Sequence, residues 1–324
     1  MEPSSLPSTR GWVAVALLTL GVLTRTTPAR GADVQPAEPP AIQAQAEPDH
    51  APNLWLTAAE VGFGLGAGTL WYVLDRRNVL DWDHPNIKAR LNGDAWRYDS
   101  NDFAINQLGH PLSGAYFHAI ARSNELGFWG SGLTSVTSSM LWEHVVEFNE
   151  KASINDVLMT PLGGIPIGEF AHKLGVHLAE TQPRTSLGRI VAATLGPTVA
   201  INDAFNGRTR CAAPSARRCG YWHEFELGLE VARLKEPSGT TSVAERLTFA
   251  GTLVSLEGYR TAPQLTRWFH EGEISRLSLA AERGSDTFAG QLDAETLLAG
   301  LHHQEGLSVK LSGEGVRAPL RREG

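Results

Sequence analysis

Glu143 and Glu147 stand four residues apart in WEHVVE, and Glu169 and His172 form an E-x-x-H pair in GEFAH. On a helix, spacings of three and four bring side chains to one face. Two carboxylates so placed can clamp a divalent metal or divide into acid and base, each shifting the proton affinity of the other. On a solvated face the same spacing gives only mild repulsion. His110 precedes them in NQLGHPLSG, where Pro111 would clash with the carbonyl of Gln107 in a continuous helix, so His110 is expected at a helix break. Asn106 and Asp102 stand four and eight residues before it, on the same face if that piece is helical. A histidine so placed suits proton transfer or ligation, and equally suits hydrogen bonding to an exposed backbone carbonyl. E-x-x-H is half of the arrangement found in dimetal carboxylate bundles, and no second copy is present to complete it. The expected metal set is therefore His110, Glu143, Glu147, Glu169 and His172 around a divalent ion.

The stretch from Ser153 to Glu169, SINDVLMTPLGGIPIGE, determines how these residues are carried. Ser153 followed by Asp156 is a capping-box-like helix start, with the serine oxygen accepting from the Asp156 N–H. Thr160-Pro161 is expected to stop a short helix, Gly163-Gly164 to turn the backbone, and Pro166 to open a second helix bearing Glu169 and His172. The helix before this stretch carries Ser131, Ser135 and Ser138 or Ser139 ahead of Trp142 and Glu143. As an enzyme, the chain would be a hydrolase of an envelope lipid or glycan. His110 would be its base or ligand, Glu143, Glu147, Asp156 and Glu169 its carboxylates, Asn106 a substrate contact and Arg122 the holder of an anionic substrate group. No Gly-x-Ser-x-Gly elbow, phosphate-binding glycine loop or H-E-x-x-H signature occurs, so no named mechanism follows.

The surrounding elements place these residues in an exported protein. Arg10 precedes the apolar run WVAVALLTLGVL, which ends near small residues and reads as a signal peptide over 1–31, with an uncleaved anchor as the alternative. Residues 32–52 form a proline-containing tether. Cys211 and Cys219, close together in a polar loop over 206–220, are expected to form a disulfide, in keeping with export. With 28 Lys+Arg against 35 Asp+Glu and no basic stripe, nothing points to a nucleic-acid partner. Residues 53–74 are the most apolar stretch after the leader, with Ala58, Gly62 and Gly66 at helical spacing and Gly64 and Gly68 beside them. Small residues so spaced allow close helix approach. The segment reads either as a membrane-bundle helix or as the innermost helix of a water-soluble core, and Glu60 favours the second because a lone carboxylate is costly in hydrocarbon. Gly62 is the position where added bulk is expected to disturb packing.

The ordered series N-x-x-x-H-P-x-x-G at Asn106 to Gly114, Ala121-Arg122, Trp142-Glu143, S-I-N-D, T-P-x-G-G and Gly168-Glu169 resembles a bacterial family of unknown function, domain of unknown function 3943 (DUF3943), over about residues 95–180. The resemblance implies an envelope protein of the periplasm or outer membrane and supplies no reaction. Beyond residue 220 the pattern changes. WHEFELGLEVARLK alternates, with Phe225, Leu227, Leu229 and Val231 on one face and glutamates on the other, and similar runs follow to give about five antiparallel strands. That is fewer than the roughly eight that a transmembrane barrel needs. The expected architecture is α+β: a small-residue-rich helical domain over 53–205, then an antiparallel β region over 221–324, as a curved sheet or incomplete barrel. The expected role is a membrane-associated envelope protein with a structural or binding function and a membrane lipid or envelope component as partner.

Overall fold

The computed structural model describes residues 51–74, 85–98, 103–181, 185–208, 221–235, 241–256, 259, 266–284, 288–303, 309–314 and 320–322. The signal-like segment, nearly all of the tether and the Cys211–Cys219 pair lie outside the described residues. Within them the fold is α+β with an open sheet. The helices are α1 (Leu54–Leu74), α2 (Ile87–Leu91), α3 (His110–Ser123), α4 (Phe128–Leu141), α5 (Ile154–Thr181), α6 (Ser186–Leu195) and α7 (Pro197–Asn206). Two short strands, β1 (Trp96–Arg97) and β2 (Ala152–Ser153), pair in parallel ahead of α5.

The helical layer is organised by α3 crossing α5 with their backbones nearly touching. A Cβ on Gly164 would stand 2.5 Å from the carbonyl carbon of Gly114, and one on Gly168 would stand 2.6 Å from the Ala115 oxygen. Gly114 in turn lies against the Thr160 carbonyl. This corrects the expected punctuation. Ile154–Thr181 is one helix of 28 residues with Pro161 and Pro166 inside it. Gly163-Gly164 makes no turn there, and both glycines are buried. The cap itself is as expected, with Asp156 N–H donating to Ser153 Oγ at 3.2 Å.

The helix α1 is not the innermost element. Thr57 is its only buried residue, while Trp55 is 88% and Phe63 74% exposed. A Cβ on Gly62 or Gly66 would meet nothing, whereas one on Gly64 would stand 2.6 Å from the Tyr116 ring and one on Gly68 2.5 Å from that of Trp142. The contact stripe is therefore offset by two residues from the expected one. Glu60 is held at this interface by Asn124 Nδ2 at 2.6 Å and Asn202 Nδ2 at 3.0 Å. Its carboxyl is raised by burial, against the lowering effect of those two amides. No helix among the described residues is long and apolar enough to cross a membrane.

The sheet comprises β3 (Trp222–Lys235), β4 (Thr241–Val254), β5 (Thr266–Phe269), β6 (Ile274–Arg283), β7 (Phe288–His303), β8 (Val309–Glu314) and β9 (Leu320–Arg322). The order is β3-β4-β6-β7-β5, with β8 and β9 also on β7, and all pairings are antiparallel. Register aligns Phe225, Gly251, Leu277 and Ala294 in one row across the sheet, and Leu227, Phe249, Leu279 and Leu292 in another on the same face. That face meets α5 at Gly251, where a Cβ would be 2.8 Å from the Phe170 ring. The core lies between, with Phe117, Ile120, Phe128, Phe170, Val176, Val199, Leu253 and Phe269 buried.

Adding one methyl separates the two kinds of glycine. Gly164→Ala should destabilise by about 1–3 kcal/mol because two backbones must part. Gly62→Ala, on an open helix face, should stabilise by up to about 1 kcal/mol through helix propensity alone. Urea melts of both variants check this, and equal effects would contradict the crossing geometry.

Candidate functional site

The residues singled out by type and spacing fall into two buried clusters. The first forms where α3 and α5 face each other. α3 presents His118 and Arg122 one turn apart, and α5 presents Glu169 and Lys173 one turn apart. Glu169, with no exposed surface, accepts from His118 Nε2 at 2.9 Å and from Arg122 through Nε at 2.9 Å and Nη2 at 3.3 Å. Lys173 Nζ lies 3.5 Å from its other oxygen. Burial alone would raise the Glu169 carboxyl, but Arg122, Lys173 and His118 outweigh it and hold the group well below the usual carboxylate range. Lys173 is lowered to about 8, chiefly by burial and against the pull of Glu169.

The sheet completes this cluster. Lys173 Nζ donates to the Gly272 carbonyl and to Ser275 Oγ, the latter at 3.2 Å. Gly272 has φ +71° and lies against Phe128, whose ring occupies the space a side chain would need. The turn is pinned by Trp129 Nε1, which donates to the His270 carbonyl at 2.8 Å. Glu273 accepts from the backbone N–H groups of His270 and Glu271.

The second cluster lies around two π-helical turns, a geometry that concentrates at functional sites. Ile105–Gly109 is the first; the His110 N–H reaches back to the Ile105 carbonyl, and Pro111 then enters α3 in its first turn. The helix is thus rewound rather than broken at His110. Trp142–Val146 is the second, closed by the Glu147 N–H on the Trp142 carbonyl at 3.0 Å. His110 Nε2 lies 3.3 Å from Asp156 Oδ2, and its Nδ1 lies 3.3 Å from Thr160 Oγ1. Glu143 is buried and accepts from the Ser153 N–H at 2.7 Å. Glu147 accepts from Trp142 Nε1 at 2.8 Å. Burial raises Glu147 to about 7, opposed by that hydrogen bond and reinforced by Glu150 and Asp156. Asn106 sits half-buried in the first π-turn. Next to this cluster Glu150 accepts from Tyr72 Oη at 2.5 Å and from Arg97 at 2.7 Å.

The expected metal set is therefore divided. Glu169 belongs to the cationic cluster, and His110, Glu143 and Glu147 to the π-turn cluster. His172 Nδ1 lies 3.3 Å from Ser123 Oγ. Among the described residues no three His, Cys, Asp or Glu side chains are arranged to hold a metal ion. Arg122, expected to hold an anionic substrate group, forks onto Glu169 instead. A carboxylate bearing this many cationic neighbours is a poor base or nucleophile. The His110–Asp156 pair, with Glu147 poised near neutrality, is where proton chemistry is more readily supported. The groove lined by Ala51, Pro52, Asn53, Asn206 and Arg208 includes no member of either cluster. His118 and Lys173 were not picked out from the sequence, although their four-residue spacings to Arg122 and Glu169 carried the signal.

Residues 95–198 match the family model described as Domain of unknown function (DUF3943). This is the family that the motif series resembles, and the match takes in the helical charged groups of both clusters, while leaving α1, α2 and the sheet, with Glu273, outside. No curated protein and no solved structure matches the chain.

The two clusters respond oppositely to neutralisation. Glu169 is lowered from 4.5, so its stabilising effect is complete above that pH and lost as pH falls below it. Glu169→Gln should cost about 3–5 kcal/mol at neutral pH, because Arg122 and Lys173 are left buried without their partner. Glu147 is raised to about 7, so between 4.5 and 7 the folded state holds the extra proton and stability falls as pH rises. Glu147→Gln should therefore match wild type near pH 4 and exceed it above pH 7, by on the order of 1 kcal/mol or more. Chemical melts from pH 4 to 8 check both signs.

Proposed function

We propose that this is an exported cell-envelope protein whose helical layer works against a lipid surface in a structural or binding role. The observation that carries this reading is the reversed polarity of α4. Its serines face inward, with Ser131, Ser135, Ser138 and Ser139 buried, while Trp129, Leu133, Val136 and Leu141 are exposed. Three of the serines hydrogen-bond to backbone carbonyls, at Leu126, Gly114 and Asp156. Polar residues turned inward as interhelical glue, with apolar residues outward, are the pattern of helices surrounded by hydrocarbon. The helix α6 adds an exposed apolar stripe of Leu187, Ile190, Val191 and Leu195, and α7 adds Ile201 and Phe205. The signal-like N-terminus and the two closely spaced cysteines, Cys211 and Cys219, agree with export. No described helix is both long and apolar enough to span, so the contact proposed is interfacial. The hydrolase alternative is left with the His110–Asp156 pair, since Glu169 and Arg122 are committed to each other.

The test is flotation of the purified protein with phosphatidylethanolamine–phosphatidylglycerol vesicles. Wild type should float, and Leu133→Asn combined with Ile190→Asn should remain with the soluble fraction while melting as wild type does. A wild-type protein that ignores vesicles, or that fractionates with the cytoplasm in cells, would overturn the reading.

A further inference from the structure

The two edges of the sheet are built differently. On the outer side of β7 the edge is broken up between two short strands of six and three residues, β8 and β9, and the β7–β8 register shifts between Leu297 and Ala299. Short, irregular strands are how natural sheets blunt an edge. The other edge is β3, whose fourteen residues pair with β4 in unbroken register. No strand among the described residues lies on its outer side. It has no proline and no bulge. Exposure on the apolar face also rises toward this edge: Leu227 is 66%, Leu229 74% and Val231 62% exposed on β3, against 41% for Leu247 on β4 and 42% for Leu279 on β6.

We propose that β3 pairs edge to edge with β3 of a second copy of this chain, antiparallel about a two-fold axis through Leu229. This rests on the sheet alone and not on the lipid-surface reading. The charge pattern favours this register over a shift of the axis by one residue either way. With the axis at Leu229, that residue faces its own copy, Leu227 faces Val231, Gly228 faces Glu230, and Glu226 faces Ala232. Each of these central pairs keeps apolar opposite apolar or leaves a glutamate facing a small neutral residue, and farther out Phe225 faces Arg233 and Glu224 faces Leu234. Moving the axis to Gly228 sets Glu226 against Glu230, and moving it to Glu230 sets that residue against itself; like charges directly opposite destabilise a ladder. The outer N–H and C=O groups of β3 then gain partners, and the apolar faces of both sheets run on continuously. An isologous contact of this kind closes at two copies and leaves the blunted β7 edges outside.

Sedimentation of the full chain, with and without substitutions, tests this. Wild type should sediment as a dimer. Leu229→Lys places two ammonium groups at the axis on an exposed position, and should give monomer with an unchanged melting temperature. Leu229→Cys should yield an oxidised dimer absent from wild type, which controls for Cys211 and Cys219, and absent from Leu279→Cys two strands in. A monomeric wild type at every concentration reached, or a dimer indifferent to Leu229→Lys, overturns the proposal. A monomer that floats with phosphatidylethanolamine vesicles and loses flotation on Leu229→Lys assigns this face to lipid, and overturns it as well.

Discussion

Glu169 has no exposed surface, and an ionised carboxylate in that position costs several kcal/mol unless charged partners surround it. Arg122 and His118 come from α3, Lys173 from the same helix as Glu169, and the Gly272 carbonyl that helps hold Lys173 comes from the sheet. The carboxylate therefore stays ionised only when α3, α5 and the turn before β6 are all in place. Arg122 extends the dependence to the chain entering α4, because its Nη1 donates to the Leu126 carbonyl at 3.0 Å. One buried charge thus ties together the helical layer, its internal connection and the sheet.

Such a cluster requires the two helices to approach far more closely than side-chain packing normally allows. Gly114, Gly164 and Gly168 supply that approach. The prolines of α5 fit the same need: Pro161 and Pro166 are both buried and lack an N–H, so neither brings a backbone donor that the crossing would have to satisfy. The π-turns serve the second cluster in a comparable way. Each inserts extra backbone just before or after a packed helix. That changes the phase of the residues that follow, and sets His110 beside Asp156 and Glu143 against the Ser153 N–H.

Much of this was legible in local sequence. Alternation in WHEFELGLE identified β3, and the SIND cap identified the start of α5. The unusual polar residues from His110 to Glu169 marked the clusters, though not their membership. What could not be read was any property set by a neighbour. Thr-Pro-Leu-Gly-Gly has the composition of a turn, and only the backbone of α3 lying against it shows why the glycines are needed inside a helix. The E-x-x-H spacing drew attention to His172, whereas the partners of Glu169 stand at four residues on its own helix and on another helix altogether. For α1 the small-residue period was visible but its phase was not, because Gly62 and Gly64 differ only in which of them meets Tyr116.

The distribution of polarity gives the fold its character. Charged and hydroxyl groups collect between α3, α4 and α5, while leucine, valine and tryptophan side chains point outward from the same helices. In water this arrangement is unfavourable twice over, since polar groups are desolvated and apolar area is left wet. Against an apolar medium both terms change sign or shrink: the outward side chains are solvated, and the inward hydrogen bonds are strengthened by the low dielectric around them. The sheet obeys the opposite rule over its glutamate-bearing face, where Glu224, Glu226 and Glu230 are exposed. The chain thus presents apolar helices on one part of its surface and a charged sheet face on another, the distribution on which the proposed contact with a lipid surface rests.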